Sequence, residues 1–220
     1  MTAVRSQRGT GSRSGAIAGI VFVVLFIAGF MTYGSTPNSN ASTAKWARYW
    51  EDSGHRTSAV VAGYLIVLSA LAFIWFLVSV RQRLVDARPD NRIQSTVALA
   101  SGLVFAAILL IFIGIAVTIP GGHEFGDLKL PSGDLARLID SIAIALLLFP
   151  GLLAAALFVG SASMAARGTG VIPGWLVTVG YVAAFLLLFG VLFFPILALL
   201  LWVLITSIVL LRRSGSAVAA

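Results

Sequence analysis

Asp140 is the first residue in the sequence whose type and position suggest chemistry. It lies just ahead of the apolar run Ile142 to Val159, and every other acidic residue of the chain falls in a predicted loop. A charged side chain is costly at membrane depth, so an ionisable residue there is by default a functional-site hypothesis. A carboxylate in this position can bind a cation or couple a proton to transport.

Two nearby arginines offer Asp140 a structural role instead. Arg137 precedes it by about one helical turn, and Arg56 opens another predicted span at the same membrane level. Either arginine would favour the charged carboxylate by pairing with it. The dipole of a helix also favours a carboxylate near its N-terminus. The sequence therefore leaves two roles open for Asp140, as a coupling residue or as one half of an ion pair.

A helical wheel predicts that Asp140 faces the interior of the protein. At roughly 100° per residue, small residues dominate its own face and bulky residues dominate the opposite face. The face of Asp140 holds Ala143, Ile144, Leu147, Gly151, Ala154, Ala155, Phe158 and Ala162, and the opposite face holds Ile142, Leu146, Phe149, Leu152 and Leu153. Small residues favour close contact between helices, whereas bulky residues suit lipid.

The outer loops carry side chains of the types that bind metal ions. His55, His123 and Glu124 are weak candidates for such a site, because no pair of them has the HExxH spacing. The sequence contains no cysteine, which excludes thiolate zinc sites, iron–sulfur clusters and disulfides. We therefore predict no metal and no cofactor, and an enzyme acting at the outer face through these three residues is the third functional hypothesis.

Three aromatic residues recur at helical spacing in the first outer loop. Trp46, Tyr49 and Trp50 occupy positions i, i+3 and i+4, so a helix would carry them on one face. Aromatic side chains are enriched at the lipid headgroup level. We predict that the three are interfacial anchors, and a ligand-binding aromatic cage is the alternative.

The elements that must position these residues are membrane spans. The chain has 220 residues, 59% of them hydrophobic and 10% charged, with a mean hydropathy of +1.01. Several runs reach the roughly 18 apolar residues of a transmembrane helix. We predict an all-α, six-helix transmembrane bundle over residues 15–213, with a kink or local unwinding at Pro150-Gly151. The spans are about 15–33, 57–80, 93–119, 135–166, 173–190 and 194–211, with a tight turn from Gly190 to Pro195.

The distribution of charge predicts the orientation of the bundle. Residues 1–14 read as a disordered basic tail and residues 214–220 as a short C-terminal tail, both cytoplasmic. The inner segments then hold Arg5, Arg8, Arg13, Arg81, Arg83, Arg88, Arg92, Arg167, Arg212 and Arg213. This bias obeys the positive-inside rule and accounts for the net charge of +7 without nucleic acid as a partner. We expect these arginines to meet anionic lipid headgroups.

Several apolar motifs resemble those of a group of small six-span membrane proteins common in actinobacteria. They are Tyr49-Trp50-Glu51-Asp52, His55-Arg56, Tyr64-Leu65, Phe73-Ile74-Trp75-Phe76-Leu77, Arg81, Pro173-Gly174-Trp175-Leu176, and the ending Leu201-Trp202-Val203 to Leu211-Arg212-Arg213. The resemblance covers nearly the whole chain. It implies a helical bundle in the plasma membrane, and it brings no activity, substrate or catalytic residue with it.

Two further functional hypotheses remain beside the outer-face enzyme. The first is a non-enzymatic accessory or structural component of an envelope or transport assembly, bound to another membrane protein. The second is a small transporter or exporter that uses Asp140 to couple a cation or a proton. The sequence fixes no substrate and no oligomeric state.

Overall fold

A computed structural model describes residues 3–38, 40–189 and 195–216, with side-chain environments for 13–38, 40–189 and 195–213. The described chain contains helices and no β-strand. In chain order the helices are α1 (Ala3–Tyr33), α2 (Thr43–Glu51), α3 (Ser53–Ala87), α4 (Arg92–Ala116), α5 (Thr118–Gly126), α6 (Gly133–Leu146), α7 (Leu152–Ala166), α8 (Gly174–Leu187) and α9 (Ile196–Ser216). A 3-10 turn (Pro89–Asn91) precedes α4, and a π turn (Leu147–Gly151) joins α6 to α7.

Five helical segments of the described chain are long and apolar enough to cross a membrane. They are Arg13–Tyr33, Ser53–Ala87, Pro89–Ala116, Gly133–Ala166 and Ile196–Arg213. The protein is therefore a multi-pass α-helical membrane protein, as the composition predicts. The predicted fifth span contains α8, which has 14 residues. At roughly 1.5 Å per residue α8 covers about 21 Å, less than the roughly 30 Å of a bilayer core.

Several helix ends differ from the predicted boundaries. Helix α1 begins at Ala3, inside the segment for which the sequence predicts a disordered tail. Helix α3 begins earlier than predicted because the carboxylate of Asp52 caps it, accepting from the backbone N–H groups of Gly54 (2.7 Å) and His55 (3.3 Å). The predicted turn from Gly190 to Pro195 lies outside the described residues, apart from Pro195 itself.

The outer loop predicted between the spans 93–119 and 135–166 is also shorter than expected. Its first part, up to Gly126, forms helix α5, which contains Pro120. Proline is tolerated in the first turn of a helix, where its missing N–H has no intrahelical partner. Helix α5 ends at Asp127, whose left-handed conformation (φ 54°) allows the N–H of Leu128 to bond to Gly122 O at 3.1 Å. The loop between α5 and α6 is therefore confined to residues 127–132.

The long helices form a closed ring. Helix α1 packs on α3, α3 on α4, α4 on α7, α7 on α8, α8 on α9, and α9 on α1. Buried aromatic rings from five of these helices fill the middle of the ring. The rings of Phe22 and Phe73 lie 4.6 Å apart, and Phe73 makes edge contacts with Phe105 at 5.5 Å and Phe158 at 5.4 Å. Phe158 in turn contacts Trp202 at 5.7 Å.

The two ends of the bundle differ in composition. At one end, here named the arginine-rich end, Arg83 Nη1 donates to Leu210 O and Arg213 Nη1 donates to Val171 O. The start of α1 lies at this same end, because a Cβ on Gly15 would meet Ser79 of α3. At the other end, here named the capped end, α2 and α5 lie across the ends of the long helices. The first described side chains of α1 and the last of α9 therefore lie at the same end of the bundle.

Candidate functional site

Asp140 lies in α6 near the capped end and is buried, with 9% of its surface exposed. It shares a face of the helix with Ala136 and Ala143, which are fully buried, as the helical wheel predicts for Ala143. Helix α6 begins at Gly133, where a Cβ would collide with the carbonyl oxygen of Thr43 in α2. The absence of a side chain at Gly133 therefore allows α6 to approach α2 closely.

Two hydroxyl groups lie within electrostatic reach of the carboxylate of Asp140. They belong to Tyr33, the last residue of α1, and to Thr36 in the segment that follows. Gly34 makes this possible because its positive φ (72°) ends α1, while its N–H still bonds to Phe30 O at 3.3 Å. The sequence analysis missed both hydroxyl groups, because nothing in the local pattern relates residues 33 and 36 to residue 140.

The predicted ion pair between Arg56 and Asp140 is wrong. The Nε of Arg56 instead pairs with Oε1 of Glu124 at 2.6 Å. The second predicted partner, Arg137, pairs with Asp134 at 3.3 Å, and its side chain is 41% exposed. Within the described residues no arginine, lysine or histidine forms a salt bridge with Asp140.

Asp140 lines a cavity of about 310 Å³ between α1, α4 and the end of α6. Aromatic rings form one wall, with Phe30 and Phe112 stacked at 5.9 Å and almost parallel, at 4°. Tyr33 and Thr36 supply the polar edge beside the carboxylate. With Ser35, the cavity therefore combines one acidic group, three hydroxyl-bearing side chains and several π faces. Both a carboxylate and an aromatic face attract a cation.

The predicted break at Pro150-Gly151 is a π turn over Leu147–Gly151. Proline has no N–H to donate at this point, so the helix widens there rather than continuing with regular spacing. Leu147 lies both in this turn and in the wall of the cavity. Leu152 follows this turn and is fully buried, although the wheel predicts it to face lipid.

The aromatic residues of α2 pack inside the protein. Trp46 and Trp50 are 1% and 2% exposed and form a small core with Ala59, Ile119 and Ala136. The prediction that they are headgroup anchors is wrong, because the two rings form the face of α2 that packs on the protein, whereas Lys45 and Arg48 on its other side are exposed. Tyr49 is half-buried, and its ring stacks on His55 at 4.1 Å.

The pKa of Tyr49 depends on its burial and on nearby negative charges. Burial raises the pKa of its phenol above the ordinary value, and the negative charges of Asp140 and Asp52 raise it further. The neutral phenol is therefore the favoured form beside the candidate site. The side chains of α2 thus act as packing between the site and the solvent.

The three weak metal-ligand candidates have other partners. His55 Nδ1 lies 3.1 Å from Tyr49 O, and His123 Nδ1 lies 2.8 Å from Leu128 O. Glu124 pairs with Arg56. Among the described residues no group of three or more His, Asp or Glu side chains is arranged to hold a metal ion. The structure does not bring these residues together around one point.

Comparison of the chain with protein-family models, with curated proteins and with solved structures gives no match. The class of the protein therefore rests on its own fold, which is that of a multi-pass α-helical membrane protein with a buried carboxylate in a cavity near one end. The resemblance to small six-span actinobacterial membrane proteins stays a prediction.

Proposed function

We propose that the chain is a non-enzymatic plasma-membrane protein that crosses the bilayer six times, with both termini in the cytoplasm. Two observations support this topology. The start of α1 and the end of α9 lie at the same end of the bundle. This arrangement requires an even number of crossings, and α8 supplies the sixth. Most of the arginines lie at this same end, as the positive-inside rule predicts for a cytoplasmic face.

We infer further that the protein binds a small organic cation, or a proton, at Asp140 as part of a transport cycle. The observation that carries this inference is a buried carboxylate in a cavity, with two hydroxyl groups beside it and no salt bridge to any described basic residue. A carboxylate that serves structure alone is expected to have a basic partner at this depth. A bound cation or proton would take the place of this basic partner.

The shape of the cavity favours an organic cation over a metal ion. Besides the carboxylate, much of its wall is apolar or aromatic, including Phe30, Phe112, Leu147 and Leu148. A hard metal cation prefers several oxygen ligands, whereas an alkylammonium group gains from π faces and from the burial of its carbon atoms. Transport would then require the packed aromatic rings below the cavity to separate, since they fill the middle of the bundle.

The test uses benzyltrimethylammonium as the probe and calorimetric titration of the purified protein in detergent. We expect the wild type to bind it, with an affinity that falls at acidic pH because protons compete for the carboxylate. Asp140→Asn removes the charge but keeps the shape, so the affinity should fall at least about tenfold, equivalent to about 1.4 kcal/mol.

Asp127→Asn is the matched control for this experiment. Asp127 is an exposed acid at the same end of the bundle, and asparagine tolerates its left-handed conformation. The control should bind the probe like the wild type. Equal affinities for the wild type and Asp140→Asn would contradict the proposed site, and equal losses in both variants would indicate attraction by surface charge only.

A role as an accessory subunit is the second candidate. The observation that favours it is α8, which is shorter than a bilayer core and exposes Trp175 (56%) and Phe185 (60%) on its outer face. A partner helix could cover these aromatic residues. Purification in nanodiscs with mass spectrometry of the bound proteins separates the candidates. A stoichiometric protein partner in a sample that does not bind the probe would favour the accessory role.

A further inference from the structure

A second and larger cavity lies at the arginine-rich end, at the opposite end of the bundle from Asp140. It has a volume of about 610 Å³ and lies between the loop that joins α7 to α8, the first turns of α8 and the end of α9. Arg167 and Arg213 contribute the charged groups of its wall, and Thr178 and Tyr181 contribute hydroxyl-bearing side chains. No described residue that lines it is acidic.

The backbone holds these basic groups in place. Gly168 and Gly170 both adopt positive φ (73°), which fixes the tight loop after Arg167. Arg213 Nη1 donates to Gly170 O and to Val171 O, so the end of α9 is tied to this loop. A third guanidinium group lies beside it, since Nη2 of Arg88 is 3.9 Å from the position of a Cβ on Gly168. Three positive charges therefore meet around one loop.

The opposite wall of the cavity continues onto an apolar surface. Tyr181 is 40% exposed, and the same helix presents Val182 (55%) and Phe185 (60%) further along. The cavity thus opens beside a hydrophobic helix face rather than beside a polar one. A ligand that fits both parts carries a phosphate-type anion at one end and hydrocarbon at the other.

We propose that this cavity binds the headgroup of an anionic phospholipid, whose acyl chains lie along α8. Guanidinium groups make charge-assisted, often bidentate hydrogen bonds to phosphate. This site is independent of the carboxylate cavity, so its failure would leave the role of Asp140 untouched.

The experiment measures thermal unfolding of the full-length protein in detergent with added phosphatidylglycerol, phosphatidylcholine or inorganic phosphate. We expect phosphatidylglycerol to raise the unfolding temperature clearly more than phosphatidylcholine, and inorganic phosphate to have no comparable effect. Arg167→Gln should weaken the apparent affinity for phosphatidylglycerol about tenfold or more, because it removes a charged hydrogen-bond donor.

Two further variants separate a built site from general surface charge. Arg212→Gln removes an equal charge next to Arg213, but Arg212 does not line the cavity, so this variant should respond to the lipid like the wild type. Gly174→Leu changes no charge and places a side chain where a Cβ meets no atom within 4 Å, so it should obstruct the cavity and reduce the response.

Three outcomes would overturn the proposal. The first is an equal response to the two lipids in the wild type, and the second is an equal loss in Arg167→Gln and Arg212→Gln. The third is a full response to inorganic phosphate alone, which would assign the cavity to a soluble anion instead of a lipid.

Discussion

Arg56 is the residue that joins the elements of the capped end. Its side chain is only 11% exposed and reaches two other helices, α2 and α5, from the first turns of α3. Nε contacts Glu124 in α5, while Nη1 donates to the carbonyl oxygens of Trp50 (2.7 Å) and Glu51 (2.8 Å) at the end of α2. These carbonyls belong to the last turn of α2 and have no intrahelical partner, so the arginine also acts as a C-terminal cap.

At the scale of single residues, the first prediction concerns Arg56→Ala. The substitution leaves two carbonyl oxygens and one carboxylate without this partner, so we expect a loss of about 2–3 kcal/mol in the free energy of unfolding. Glu124→Gln keeps a hydrogen-bond acceptor and leaves the carbonyl bonds intact. It should cost about 1 kcal/mol or less, because the carboxylate is 36% exposed and screened by solvent.

Denaturant unfolding in detergent, followed by tryptophan fluorescence, measures both effects. Two of the five tryptophans, Trp46 and Trp50, are buried on α2, the helix whose end Arg56 caps, and contribute to this signal. Arg48→Ala, an exposed arginine on α2, is the control and should match the wild type. An Arg56→Ala variant no less stable than the control would show that the cap does not depend on this side chain.

The partners of Asp140 and Arg56 illustrate what a single sequence leaves open. The burial of Asp140 followed from helical periodicity, because Ala136 and Ala143 share its face within one helix. The partners of Asp140 and Arg56 could not be predicted from periodicity, since Tyr33 and Glu124 come from other helices. Their approach depends on the turn at Gly34 and on helix α5. Charge alone favoured an Arg56–Asp140 pair, but tertiary packing gave each residue a different partner.

At the scale of helices, close contacts at small residues determine how the ring closes. A Cβ on Gly19 would collide with Ser207 of α9 and crowd Phe76 of α3, so α1 packs against both neighbours at this glycine. Gly180 plays the same part in α8, where a Cβ would collide with Ser163 of α7 and approach Trp202 Nε1 of α9 to 2.7 Å. Small residues permit such approaches in membrane bundles, where dispersion contacts replace the hydrophobic effect.

The second prediction concerns Gly180→Ala. Overpacking at this three-helix contact should cost about 1–3 kcal/mol, despite the roughly 1 kcal/mol by which alanine is the better helix former. Gly114→Ala is the matched control, because a Cβ on Gly114 meets no atom within 4 Å. It should leave stability unchanged or raise it slightly. Thermal unfolding in detergent distinguishes the two variants, and equal stability would show that α8 does not pack as closely as described.

The π turn is the element that the sequence indicates only in part. Proline within an apolar run predicts an interruption at Pro150, but not whether the helix kinks, unwinds or widens. Widening keeps α6 and α7 in one membrane segment, Gly133–Ala166. Asp140 and Phe158 both face the interior, as the helical wheel predicts, the first toward the cavity and the second toward the aromatic core.

At the scale of the whole molecule, two cavities lie on either side of a packed aromatic core. The cavity near the capped end carries one carboxylate, and the one at the arginine-rich end carries arginines. Hydropathy and charge were sufficient to predict the membrane class, most of the spans and the asymmetry of charge. They did not predict the cavities, because each is formed by segments far apart in the sequence, such as Gly170 and Arg213.

The last prediction concerns the number of crossings, which depends on α8. If α8 crosses the membrane, a reporter active only in the cytoplasm should work after Arg213 and within residues 81–92. It should be silent near Asn38, near Gly126 and when inserted between Leu187 and Ile196. If α8 stays on the cytoplasmic side, the insertion after Leu187 becomes active and the fusion after Arg213 becomes silent, because five crossings place the termini on opposite sides.

The first of these patterns belongs to six crossings and the second to five. The short length of α8 favours the second pattern, whereas the bonds from Arg213 to the loop before α8 require the end of α9 to return to the side where α8 begins. Those bonds cannot form across a bilayer, so we expect the first pattern, and an active reporter after Leu187 would contradict the six-span topology.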